Sequence, residues 1–176
     1  MKILAIPASN SQKSINKELI NYAASLLSQH EVEVININDY EMPIYSIDLE
    51  QANGIPEAAS RFFKAIQESD ALLISYAEHN GNYTVAYKNL FDWTSRLDVK
   101  IYQGKPIIML SASPGPGGAK SVLALASESA HFFDGQVKAA LSIPNFYDNF
   151  DQDKGEITNL ELISELKTAL AAIEAK

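Results

Sequence analysis

The chain has 176 residues, 47% hydrophobic and 20% charged, which is enough apolar material for one core and too little length for two full domains. It carries 22 acidic against 14 basic residues, a net charge of -8, and no cysteine. The negative far field disfavours nucleic acid and anionic membrane, and the missing thiols exclude cysteine nucleophiles, cysteine-ligated zinc, iron–sulfur clusters and disulfides. No apolar run has the length of a signal peptide or a membrane span, so the expectation is a single cytoplasmic domain over residues 1–176.

Residues 3–6 are a short apolar run bounded by Pro7 and predict a buried first strand. Ile15, Leu19, Ile20, Ala23, Leu26 and Leu27 recur at helical spacing and predict a helix over 15–28. Residues 31–38 alternate polar and apolar, as a strand at a sheet edge does, and 39–54 read as a loop. Pro56 fits the first position of a helix whose buried stripe is Ala59, Phe62, Phe63 and Ile66. Residues 71–75 predict a third strand, 77–83 a polar loop and 84–95 a helix. A fourth strand over 105–110 leads into a Ser-, Pro- and Gly-rich loop, 111–118, and a helix over 119–133. A fifth strand (137–143), a loop (144–155) and a last helix (160–175) with Leu160, Ile163, Leu166, Leu170 and Ile173 inside complete the chain.

Five strands alternating with five helices predict an α/β flavodoxin-like sandwich, a parallel sheet in the order 2-1-3-4-5 with helices on both faces. Ligands of such sheets lie outside the carboxyl ends of the strands, which directs attention to the loops after strands one, three and four.

The first of these, residues 8–16, runs straight into a helix. Unpaired amides and the positive end of the helix dipole make such a place an anion cradle; Ser9, Ser11 and Ser14 add donors suited to a phosphate monoester, and Asn16 could donate an amide hydrogen there or to the neighbouring loop. Residues 6–17 hold two lysines and no carboxylate, so the local charge opposes the global one. The dinucleotide fingerprint G-x-G-x-x-G is absent, since no glycine precedes Gly54. Gly115-Pro116-Gly117-Gly118-Ala119-Lys120-Ser121 departs from P-loop spacing and follows the wrong strand. A glycine loop here and the loop Glu78-His79-Asn80-Gly81-Asn82-Tyr83 could flank a flat heterocycle. Of the three histidines, His79 falls in a site loop, while His30 at a helix end reads as a surface cation. No metal-ligand spacing or nucleophile elbow is present in the sequence.

With these loops located, the chain resembles the NAD(P)H-dependent FMN reductase family, a flavodoxin-like group related to azoreductases and to quinone- and chromate-reducing flavoproteins. Ser9, Ser14 and Asn16 match the family's first motif, about G-S-x-R-x-x-S-x-N. Glu78, Asn80, Lys88, Asn89, Asp92 and Trp93 match its second, about P-E-Y-N-x-S-x-P-x-x-L-K-N-A-I-D-W, and Ser111 to Gly118 stand for its Ser- and Gly-rich third loop. Ala8, Ser11, Ala77 and His79 depart from the family's glycine, arginine, proline and tyrosine.

The resemblance implies bound FMN, NADPH or NADH as cosubstrate, and a small electron acceptor such as free FMN, a quinone or an azo compound. It implies phosphate contacts from Ser9, Ser11, Ser14, Asn16 and the Ile15 amide. Ring contacts would come from Glu78, His79, Asn80 and Gly81, largely through backbone, with an amide of the Asn80 region near flavin N5, and from Ser113, Gly117 and Gly118. A homodimer or homotetramer is implied, with Lys88, Asp92 and Trp93 structural or interfacial. A nonenzymatic flavodoxin-like electron carrier is the alternative for the same fold and cofactor.

Overall fold

The computed structural model describes residues 1–174. In chain order the elements are β1 (Lys2–Ala8), α1 (Ile15–Ser25), β2 (Glu31–Val34), α2 (Ile47–Asn53), α3 (Glu57–Gln67), β3 (Ala71–Tyr76), β4 (Glu78–His79), β5 (Asn82–Tyr83), α4 (Val85–Thr94), β6 (Pro106–Ala112), α5 (Lys120–Ser129), β7 (Gln136–Ile143), α6 (Phe146–Asn149), β8 (Phe150–Asp151), β9 (Glu156–Ile157) and α7 (Leu160–Ala171). Short 3-10 helices occupy Ile37–Tyr40, Ala130–Phe133 and Ala172–Glu174. The main sheet is parallel throughout with the order β2-β1-β3-β6-β7, the topology 2-1-3-4-5 expected from the sequence.

The sheet is buried on both faces because neighbouring strand residues feed opposite cores. Leu4, Ile6, Leu72, Ile74, Tyr76, Ile107 and Met109 pack with α3, α4 and α5 residues such as Phe62, Ile66, Tyr87, Leu90 and Val122. Ile3, Ala5, Ala71, Leu73, Ile108 and Leu110 pack on the other side with Leu19, Ile20 and Ala23 of α1 and Leu166 and Leu170 of α7. β2 lies at an edge with most of its residues exposed, as its alternation predicts.

Several boundaries differ from expectation for local reasons. β2 stops at Val34, because Asn36 turns the chain by accepting the Asn38 amide and starts a 3-10 turn. The stretch read as a loop contains α2, capped by Ser46 and ended by Gly54 at φ 75°. Pro56 has ψ 144° and stands before the first turn of α3 rather than in it. The polar loop after β3 is a β-hairpin: Asn80 and Gly81 both have positive φ (54° and 77°), as a two-residue Asn-Gly turn requires. The loop after β7 contains α6 and a second hairpin, β8–β9. Leu160 is exposed at the start of α7, not inside. The His30 side chain is 7% exposed and its Nε2 lies 3.0 Å from Glu174, so it staples the C-terminal turn instead of standing free at the surface.

Candidate functional site

The loop after β1 enters α1 through Ser14, whose hydroxyl caps the helix by accepting the Lys17 amide (3.3 Å). The amides of the first helical turn therefore stay directed at the loop, with the positive end of the helix dipole behind them. Ser9 and Ser14 are nearly buried beside them, and the Ser11 amide donates to Ser9 Oγ (3.2 Å), which curls the loop around the opening.

Asn16 is 2% exposed and binds inward. Ser75 Oγ donates to its Oδ1 (2.7 Å), the Ala112 amide donates to the same oxygen (3.0 Å), and Asn16 Nδ2 donates to the Ala112 carbonyl (3.4 Å). Its side chain thus ties the start of α1 to the ends of β3 and β6, and what remains of Asn16 for an anion is its backbone amide. Of the two partners expected for the Asn16 side-chain amide, it takes the neighbouring loop, at Ala112.

The hairpin β4–β5 is tied to the same end of the sheet from two directions. Glu78 Oε2 accepts the Val122 amide (2.9 Å) at the N-terminal turn of α5, where Ala119, left-handed at φ 58°, supplies no cap of its own. Thr84 caps α4 and donates to the Ala8 carbonyl at the end of β1 (3.2 Å). Behind the hairpin, Tyr76, Tyr83 and Tyr87 pack ring against ring at centroid distances of 5.5–5.6 Å, and the Tyr87 and Tyr102 hydroxyls lie 3.4 Å apart. Burial holds the Tyr76 and Tyr87 phenols well above their ordinary range and pushes Tyr102 up to about 12.

Two cavities open on this end of the sheet. The smaller, about 220 Å³, is lined by Ser9, Ser11, Lys13, Ser14, Ile15 and Asn16 from the first loop, Ala77, Glu78 and His79 from the third, Ala112, Ser113 and Pro114 after β6, and Tyr147 of α6. Eight of the twelve residues expected in the site meet here. Asn80 and Gly81 form the hairpin tip, and Gly117 is exposed on the loop, all three outside this wall. Gly118 lies beneath it: its carbonyl accepts from Ser111 Oγ and Ser142 Oγ, and a Cβ there would come within 2.0 Å of Ser142 Oγ. Gly118 therefore serves close packing of the loop on β6 and β7.

The larger cavity, about 420 Å³, lies on the far side of His79 between the segment 37–44 and α4. Ile37, Met42, Ile44, Val85 and Ala86 supply its apolar wall. That wall is held by the second motif: Asn89 accepts the Tyr45 amide (2.8 Å) and donates to the Met42 and Pro43 carbonyls (both 3.1 Å), and Trp93 Nε1 donates to the Pro43 carbonyl (2.7 Å). Asn89 and Trp93, four apart, are clamps of this segment, and Trp93 is buried rather than interfacial. Sequence reasoning missed Tyr147 and the 37–44 wall. The exposed aromatic just after the fifth strand, at the same sheet end as the other loops, was the available signal for Tyr147.

The donor set of the smaller cavity suits a phosphate monoester. It offers the hydroxyls of Ser9, Ser11 and Ser14 on the first loop and of Ser113 and Tyr147 opposite, with helix amides and the Lys13 ammonium, and its one carboxylate, Glu78, is engaged by α5. Among the described residues no cluster of His, Asp and Glu could hold a metal ion, and no helix is long and apolar enough to cross a membrane.

A family model described as NADPH-dependent FMN reductase matches residues 1–148. An NAD(P)H-dependent FMN reductase of Pseudomonas aeruginosa is 34% identical over 67% of this chain and 63% of its own length. A quinone reductase of Escherichia coli is 29% identical over 71% of this chain and 65% of its own, so the matched region is under two thirds of each of these relatives. Among solved structures, the flavoenzyme NAD(P)H:(acceptor) oxidoreductase FerB of Paracoccus denitrificans superposes with a TM-score of 0.74 at 27% identity, covering 98% of this chain and 94% of that one.

Proposed function

From the premise that this chain belongs to the NADPH-dependent FMN reductase family, we propose that the cradle at the start of α1 is its FMN phosphate site and that a quinone-type small molecule is its electron acceptor. The chain is an NAD(P)H-dependent flavin oxidoreductase. When bound, FMN supplies the redox chemistry, accepting hydride from a reduced nicotinamide and passing two electrons on.

The protein's part is position and electrostatics. Ser9, Ser11 and Ser14 hydroxyls, the Ile15 and Asn16 amides and Lys13 hold the phosphate dianion at the positive end of α1. Backbone of Ala77 to His79 and of Ser113 and Pro114 would flank the ring, with Tyr147 on the same cavity. The observation that carries this reading is the convergence of all three loops on one cavity whose donors are hydroxyls, amides and an ammonium. The exposed side of α4, with the Lys88–Asp92 ion pair (2.7 Å), is the face through which two copies pair, and the protein works in the cytoplasm.

Purified protein is expected to take up one FMN per chain and to bleach it on addition of NADH or NADPH without a partner protein. Bleaching that needs a second protein supports the electron-carrier reading instead. Light scattering on the eluted peak checks for a dimer.

A further inference from the structure

One residue, His79, lines both cavities. On one side it closes the anion cradle, and on the other it faces the apolar pocket of Ile37, Met42, Ile44, Val85 and Ala86. It is held on β4, opposite Asn82 across a two-residue turn, so its backbone is positioned while its side chain stays exposed.

Two charged neighbours are without a partner among the described residues, Glu41 on the larger cavity and Lys13 on the cradle, while several other polar groups around it are engaged. Glu78 is committed to α5, Asn38 Nδ2 donates to the Asn10 carbonyl (3.3 Å), and Asn89 is committed to the 42–45 segment. Tyr40, the one phenol on the larger cavity, is held above its ordinary range, chiefly by burial, and gives up a proton less readily. Among the described residues, no hydrogen bond or ion pair engages the His79 ring. An imidazole is the side chain suited to exchanging a proton near neutral pH, and a free one between an anion cradle and an apolar slot has no structural task that explains it.

We propose that the larger cavity receives a para-quinone and that His79 is the acid that completes its reduction. This rests on the flavin reductase reading above. Conversion of a quinone to a hydroquinone takes two electrons and two protons. Both electrons and one proton arrive as hydride from the reduced cofactor. The second proton leaves the ring nitrogen of the His79 imidazolium, whose N–H bond breaks as the O–H bond forms on the other quinone oxygen, and water reprotonates the neutral ring. The apolar wall takes the carbon frame of the quinone, and the cofactor side of His79 faces the cradle.

The test uses FMN-loaded enzyme with excess NADH or NADPH and two acceptors, menadione and ferricyanide. Menadione takes protons with its electrons; ferricyanide takes electrons alone. For H79Q the ratio of kcat/KM for menadione to that for ferricyanide is expected to fall roughly 100-fold, the lower range for a positioned general acid. Any change in cofactor binding or reduction enters both rates and cancels in that ratio.

A second readout needs no turnover. In oxidised holoenzyme, menadione is expected to shift the imidazole NMR signals that H79Q lacks and to leave those of His30 and His131 in place. An unchanged ratio, or signals that do not move, overturns the role of His79 while leaving the reductase reading intact. Protein that takes up no FMN, or is not reduced by either nicotinamide, overturns both.

Discussion

The two walls of the site are built in opposite ways. The wall formed by the start of α1 and the ends of β3 and β6 is buried and internally satisfied, with Asn16 bonded to Ser75 and Ala112 and Gly118 packed under Ser142. The wall formed by β4–β5 and the segment 37–44 is exposed, held by backbone geometry and by clamps from α4, and it leaves the His79 ring free. The difference separates two requirements. On the proposed assignment, a constant cofactor phosphate is met by rigid, preorganised donors, and a varied acceptor by an exposed surface with fewer internal bonds.

If that contrast is right, damage to the buried wall costs the fold and damage to the exposed wall costs little stability. Asn16→Ala is expected to lower the unfolding free energy by about 3 kcal/mol, because Ser75 and the Ala112 amide lose their buried acceptor. Urea titration of the FMN-free protein checks this, and a loss below about 1 kcal/mol would contradict the tie. Gly118→Ala should cost about 2 kcal/mol by the same measurement, since the new methyl meets Ser142 and the Pro144 backbone at a positive φ. Ser14→Ala is expected to weaken FMN binding by about 1–2 kcal/mol, the range for one hydrogen bond to a charged group, as read by fluorescence titration. Unchanged affinity would remove Ser14 from the phosphate site. Gly81→Ala, at the hairpin tip, is expected to cost only about 1 kcal/mol, because the turn needs φ 77° but a Cβ there meets nothing. A larger loss would mean that the exposed wall is as integral as the buried one.

The same contrast explains what could be read in advance. Strand order and the two-faced core follow from apolar runs alternating with helical stripes, signals carried by near neighbours in sequence. The first loop was legible for the same reason, because helix start, hydroxyls and lysines are contiguous. The hairpin was not seen although Asn80-Gly81 announces it, since its strands are two residues each and show no alternation. The tasks of Asn16 and Glu78 depend on partners up to 96 residues away, where composition and spacing carry no information. Asn89 and Trp93 were marked by their motif, but their work on the 42–45 segment appears only in three dimensions.

The Asn16 tie also sets an order of events during folding. Its bonds bridge 59 and 96 residues of chain, so they form only once β1, β3 and β6 lie side by side. Closing such long loops is entropically unfavourable before the sheet is assembled. A refolding chain therefore acquires the cradle at the start of α1 late, and if FMN binds there as proposed, quenching of its fluorescence on uptake is a clock for completion of the central sheet.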